Sequence, residues 1–404
     1  MPGLQLSISV VLIVSAGLLY SLKRYKEACR VKIVAASKSE ISGELGEHTN
    51  VGSLLNKHCP SLTDPELAYM VPTPYLCSGM VQTVYCTFAA LKRDQYSKVD
   101  YERESRTMSD GGTISLDWYP HRSTDIAGRQ PIFIIIPGLG GSSYEYHIRC
   151  VVKTLVVAGP TSSCRVVVMN HRGSARTPLT SAKFYNAYDT ADYRDTVQYI
   201  KESFPNAPLL GVGFSLGANL LTKYLGEEAD RSPLAAAAAI CCPFDTEIAG
   251  KALDKRGFLN DYLFQPNLMA TLKRSVKRNI DVIKTGYSDD HIKMIMGAKR
   301  MSEIDNLVTA KVYGHEDCWD YYRAASSTPY VDHIRTPYLA INAQDDPITP
   351  EEGIPFEKFE KNPYLALALV KHGGHLGLFT GLSPKVWYVQ PVAEFFNAVL
   401  CTKE

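Results

Sequence analysis

Five residues, Gly213-Phe214-Ser215-Leu216-Gly217, set a hydroxyl between two glycines at the junction of an apolar run and a helical pattern. A serine there sits on a tight strand-to-helix turn with its hydroxyl pushed into the open, where it can attack a carbonyl carbon. Side chains at 213 and 217 would collide with the neighbouring strand and helix, so both positions call for small residues. The bare G-x-S-x-G pattern arises by chance in roughly one chain in ten of this length, so it gains weight only from its company. A serine hydroxyl is a poor nucleophile at neutral pH. It needs a base, and the base needs an acid to orient it. Both stand downstream, Asp346 in the loop QDDPITP and His375 in KHGGHLGLF. The chemistry this set could do is acyl transfer through a covalent acyl-serine.

Each member has a neighbour that could take its place. Asp345 adjoins Asp346, and Asp346 is preferred because it directly precedes the proline of the turn D-P-I-T-P. His372 lies three residues before His375, which is favoured because the glycines of GGHLG let the backbone bring the imidazole close. The H-x-x-H spacing would suit a metal, but no third ligand of suitable spacing accompanies it and no helix is predicted there, so no metal is expected. An oxyanion needs two backbone donors: Leu216 N–H follows the nucleophile, and Leu139 N–H lies in the glycine-rich loop after the run IFIIIP. Each such donor contributes about 3–4 kcal/mol to the transition state. Neither PGLGGSS nor GVGFSLG has the G-x-G-x-x-G spacing of a dinucleotide loop, so no cofactor is expected.

These residues need a frame. The short apolar runs at 132–137, 165–170, 208–214, 234–242, 336–343 and 364–370 read as buried strands, and their near-continuous apolar character suits a mostly parallel sheet covered on both faces. Helical patterns at 190–203, 216–228 and 386–400 alternate with them, so the predicted class is α/β. Ser215, Asp346 and His375 each follow the C-terminal end of a predicted strand, where open parallel sheets place their sites. Residues 243–330 break the rhythm with amphipathic helical segments, a candidate lid. A hydrolase body is predicted over 108–404, with residues 23–107 as an extension packed against it.

A formal charge of +1 on 404 residues argues against nucleic acid as the main partner, because phosphate backbones call for a concentrated basic surface. Ten scattered cysteines with no C-x-x-C pair offer no disulfide framework. Residues 4–22 carry no charged side chain and as a helix would span roughly 28 Å, just enough to cross a bilayer. Lys23, Arg24, Lys26, Arg30 and Lys32 follow at once, which predicts an anchor over 1–22 with the body on the cytosolic side of an internal membrane. A second uncharged stretch, 67–91, is broken by Pro72, Pro74 and Gly79 and is expected to pack on the body or lie against the membrane surface.

Beyond the three acting residues, the motifs DGGTISLDWY (110–119), PGLGGSS (137–143), NHRGSA (170–175), DTADYRDTVQYI (189–200), GFSLGANLLTKYLG (213–226), the segment 321–350 and GGHLGLF (373–379) span nearly the whole chain. In them the chain resembles the AB hydrolase 4 family of α/β-hydrolases, which includes animal phospholipases and yeast medium-chain fatty acid ethyl ester synthase/esterases. The resemblance implies an α/β-hydrolase fold with a helical lid, an N-terminal membrane anchor, no cofactor, and a triad on Ser215, Asp346 and His375. It implies a structural role for Asp192 and Asp195. His315 and Asp320 fit an H-x4-D acyltransferase pattern, here read as coincidence. The expected function is a membrane-anchored serine esterase/acyltransferase of medium-chain, lipid-like esters. A phospholipase shares every acting residue, and a catalytically silent membrane-tethered scaffold is the alternative from another class.

Overall fold

The six apolar runs form the middle of one sheet in the computed structural model, which describes residues 20–37, 41, 49–88, 98–122, 129–158 and 164–402. In chain order the strands are β1 (Lys32–Ala35), β2 (Glu102–Thr107), β3 (Thr113–Tyr119), β4 (Ile132–Ile136), β5 (Arg165–Asn170), β6 (Leu209–Phe214), β7 (Leu234–Ile240), β8 (Tyr338–Ala343) and β9 (Leu365–Val370). Across the sheet the order is β1-β9-β8-β7-β6-β4-β5-β3-β2. Strands β5, β4, β6, β7, β8 and β9 run parallel, while β1 and the β3–β2 pair close the two edges antiparallel.

The sheet therefore does not begin at residue 108. Both edge strands come from the stretch expected only to pack against the body. Strand β2, ERESRT, is charged at four of six positions, as suits an edge that must not recruit further strands. Strand β1 is too short, at four residues, to leave a periodic signal. Strand β3 alternates, with Ile114, Leu116 and Trp118 buried in one core layer and Ser115 and Asp117 facing the other way.

Helices cover both faces: α1 (Val51–His58), α2 (Gly79–Phe88), α3 (Tyr146–Ala158), α4 (Ala191–Ser203), α5 (Leu216–Glu228), α6 (Gln265–Arg278) and α7 (Val389–Cys401) are those that matter here. Strand β7 shows how the layers form. Its sequence LAAAAAI is poor in β-branched residues, yet it lies between β6 and β8 and is buried on both faces. Ala236, Ala238 and Ile240 enter the layer that holds Phe395 and Phe396 of α7, while Ala237 and Ala239 enter the layer that holds Tyr224 of α5. Small side chains let both helices approach the sheet closely.

Between β7 and β8 the chain makes the expected helical excursion. It has a small core of its own, including Met269, Val276, Ile283, Ile295 and Val308, joined by Leu179 from the body. Asp245, Ser288 and Asp317 cap three of its helices by accepting backbone N–H bonds, which satisfies donors that have no partner in the first turn. The expected anchor, apart from residues 20–22, lies outside the described residues. Among the described residues no helix is long and apolar enough to cross a membrane.

Candidate active site

Ser215 ends β6 and caps α5 with φ 51° and ψ −118°, a left-handed conformation that costs free energy for a residue with a Cβ. The close packing around it explains the two glycines. A Cβ on Gly213 would stand 2.6 Å from Ala218 Cα, and one on Gly217 would stand 2.3 Å from Ile136 O. Ser215 N–H donates to Ile240 O at 2.9 Å, which ties the turn to β7.

His375 Nε2 lies 2.7 Å from Ser215 Oγ, and its Nδ1 lies 2.8 Å from Asp346 Oδ2. Asp346 is buried and accepts three further bonds: Ile348 N–H (2.8 Å) and Thr349 N–H (2.9 Å) at Oδ1, and Thr349 Oγ1–H (2.7 Å) at Oδ2. A carboxylate so surrounded by donors is an acceptor only. It fixes the proton of His375 on Nδ1 and leaves Nε2 free to accept from the serine. The chemistry open to this arrangement is proton removal from a serine at the moment it attacks.

The neighbours that competed in the sequence form a second pair. Asp345 Oδ2 lies 3.1 Å from His372 Nδ1 and accepts Gly79 N–H at 2.7 Å, while Oδ1 accepts Gly373 N–H (2.8 Å) and Gly374 N–H (3.0 Å). This pair clamps the histidine loop to the start of α2 and does not touch Ser215. The contact is close enough that a Cβ on Gly374, at φ 59°, would stand 1.9 Å from Gly79 O.

Helix α2 holds residues that sequence reasoning missed. Thr83 Oγ1 accepts His375 N–H at 2.8 Å and donates to Gly79 O at 2.7 Å, and Gln82 Oε1 accepts Phe379 N–H at 2.6 Å. The helix buries Gln82 and Thr83 and exposes Val81 and Phe88, the reverse of ordinary amphipathicity. Two polar residues adjacent in an uncharged stretch were the available signal. Cys241 adds a sulfur contact on the other side, accepting Leu376 N–H at 3.3 Å.

Leu139 and Leu216 line the same cavity as Ser215 and His375. Leu216 heads α5, where the first N–H groups have no intrahelical acceptor. The loop that carries Leu139 is held from behind: Gly140 N–H donates to Tyr185 Oη at 2.7 Å, Tyr185 stacks on His171 at 4.7 Å, and His171 Nε2 lies 3.2 Å from Pro137 O. The cavity encloses about 570 Å³, within the range of small-molecule sites. Phe264, Leu268, Leu272, Ile295, Met301 and Val308 of the helical excursion form its apolar side. Asp305 also lines that wall, its carboxyl pushed up by burial and bonded by Tyr322 Oη–H at 2.6 Å.

Among the described residues one group of potential metal ligands comes together, Cys241, Asp346 and His375 within 4.8 Å. Burial holds the Cys241 thiol well above the usual thiol range, and the acid and imidazole are bonded to each other, so the donors are poorly disposed to a cation. His372 is not part of the group. His315 pairs with Asp320 at 3.2 Å but neither lines the cavity. Asp192 accepts two bonds from Arg172, at 2.6 and 2.7 Å, in a structural ion pair, and Asp195 lies away from the cavity. All ten cysteines are free thiols.

Residues 131–382 match the alpha/beta hydrolase fold family. Human phospholipase ABHD3 is 32% identical over 82% of this chain and 78% of its own. Two Saccharomyces cerevisiae proteins are similar to the same degree. Medium-chain fatty acid ethyl ester synthase/esterase 2 is 30% identical over 87% of this chain and 90% of its own. Monoacylglycerol lipase is 32% identical over 84% of each. With this sheet, this turn and these relatives, the chain belongs to the α/β-hydrolase family and is an enzyme of the carboxylic-ester hydrolase type.

Proposed function

We propose that the protein is a membrane-anchored serine esterase/acyltransferase acting on medium-chain acyl groups of lipid-like esters. The observation that carries this reading is the unbroken relay from Ser215 Oγ to His375 Nε2 (2.7 Å) and from Nδ1 to Asp346 (2.8 Å), beside an apolar cavity. His375 takes the serine proton as Oγ attacks the ester carbonyl carbon. The oxygen that gains charge is met by the N–H groups of Leu139 and Leu216. His375 then protonates the departing alcohol, leaving an acyl-serine, and water or another alcohol enters by the reverse steps. The helical excursion serves as a lid whose apolar wall receives the acyl chain. The names of the three relatives have acyl esters in common and differ in the alcohol, which supports the chemistry more narrowly than the substrate. Residues 4–22, with the basic residues that follow, support the anchor and its cytosolic orientation.

A fluorophosphonate probe tests the assignment on the purified full-length chain. Wild type is expected to label and to hydrolyse p-nitrophenyl esters with an optimum at medium chain length, and added ethanol to divert part of the acyl product to ethyl ester. Ser215→Ala is expected to lose both labelling and turnover. Labelling that persists in this variant would remove the serine from its role.

A further inference from the structure

Helix α2 turns its polar side inward and its apolar side out. Val81, Val84, Tyr85 and Phe88 stand at i, i+3, i+4 and i+7 and so share one face, while Gln82 and Thr83 point into the body and hold the histidine loop. Val81 and Phe88 are 43% and 44% exposed, and Val84 and Tyr85 are half-buried. Water selects the opposite arrangement on a surface helix. The run 67–91 around α2 carries no charged side chain, and its Leu67 and Tyr75 are exposed as well. Phe88 also lines the Ser215 cavity, together with Thr83, Cys86 and Thr87, which places the apolar face at the cavity mouth.

Two observations say what this face meets. The first is where the run is pinned. Val31 N–H donates to Ala68 O at 2.9 Å and Met70 N–H donates to Cys29 O at 3.0 Å, which ties it to the root of an exposed helix at 20–28. Tyr25 of that helix lies within electrostatic reach of Cys77 and Asp345, beside the start of α2. The uncharged run 4–22 ends in the same helix, so the segment read as an anchor joins the described fold at this corner. The second is charge. Lys23, Arg24 and Lys26 are exposed there, which suits an anionic lipid surface. A second copy of the chain fits less well, because a handful of side chains falls short of the about 20–30 residues a side in a stable protein interface.

We propose that the outer face of α2 docks on the bilayer surface and holds the mouth of the Ser215 cavity against the lipid. The proposal rests on the membrane reading of residues 4–22 and adds a second, separate contact to it. The apolar side chains of α2 enter the boundary of the acyl chains, while Lys23, Arg24 and Lys26 stay among the headgroups. An ester then reaches Ser215 from the bilayer without crossing water.

The test uses the full-length chain in vesicles of phosphatidylcholine and phosphatidylserine that contain a lipid with a diazirine on its acyl chain, close to the ester. Illumination should cross-link residues 79–88. Cross-links at 20–28 with none at 79–88 overturn the proposal and leave the anchor standing, and a chain that fails to float with the vesicles sinks anchor and docking together. Lipid cross-links only at Phe258 and Tyr262, exposed on the helical excursion, would turn another face to the bilayer and also overturn it. Kinetics read the consequence. Neither Val81 nor Val84 lines the cavity, so in Val81→Gln/Val84→Gln the hydrolysis of a decanoyl ester dissolved in the vesicles should fall about tenfold, while that of water-soluble p-nitrophenyl acetate should not change. Equal loss on both esters would mean that the substitutions act through Thr83 and the histidine loop, and no loss on either would mean that the face meets no lipid. Both outcomes overturn the proposal. Fluorophosphonate labelling shows whether the variant folds, and the cross-linking of wild type decides even if it does not.

Discussion

Two acid–histidine pairs stand side by side in this protein, built from adjacent acids and from histidines three residues apart. Asp346 and His375 are buried, at 0% and 8% side-chain exposure, and the far nitrogen of the imidazole meets a serine. Asp345 and His372 are 27% and 22% exposed, and the carboxylate is taken up by the N–H groups of Gly79, Gly373 and Gly374. Similar distances thus serve opposite ends. One pair prepares a base, and the other staples a loop to a helix. What separates them is not the pair itself but what each member faces.

The histidines should part most widely. His375→Ala should lower kcat for ester hydrolysis on the order of 10⁵–10⁶-fold, while His372→Ala should stay within about tenfold of wild type. Equal losses in steady-state assays would erase the distinction. The acids come next. Asp346→Asn should cost about 10⁴-fold in kcat, because an amide can settle the imidazole in the wrong tautomer. Asp345→Asn should instead cost about 1–3 kcal/mol of stability in urea unfolding, since an amide group would turn toward N–H donors that need an acceptor.

A smaller effect tests whether α2 belongs to the first pair or the second. Thr83→Val removes the acceptor of His375 N–H and should lower kcat about tenfold, leaving KM nearly unchanged. A change confined to thermal stability would assign Thr83 to the staple.

An effect confined to acid pH concerns a third histidine. His147 lies against Phe214 and lines the cavity, and burial first, then His375, pushes its pKa down to about 3. Its folded pKa lies below the unfolded one, so between pH 6.5 and 3 the unfolded chain binds the extra proton. Wild type should lose up to about 1.4 kcal/mol per pH unit from this group as pH falls through that window, and none of it above. Urea unfolding of His147→Phe should show a correspondingly shallower acid loss.

Much of the frame was legible. The six parallel strands are buried on both faces, and continuous apolar runs signal that burial directly. The edges were not legible: β1 is four residues long, and β2 is as charged as a loop, because an edge strand gains its order from one neighbour and not from its own pattern. Thr83 and Gln82 were missed for a related reason. Their partners lie nearly 300 residues away, and no local periodicity reports such a contact.

Residue type and local order by themselves determined that a serine on a glycine-flanked turn, an acid after one strand and a histidine after the next would share the C-terminal edge of a parallel sheet. Strand period and turn chemistry are local, so a linear chain can encode them. Which acid meets which histidine and which backbone groups hold them were decided only by the packing of distant segments. Burial and hydrogen-bond pairing depend on what arrives from elsewhere in the fold, and neighbouring residues with the same side chain can receive very different surroundings.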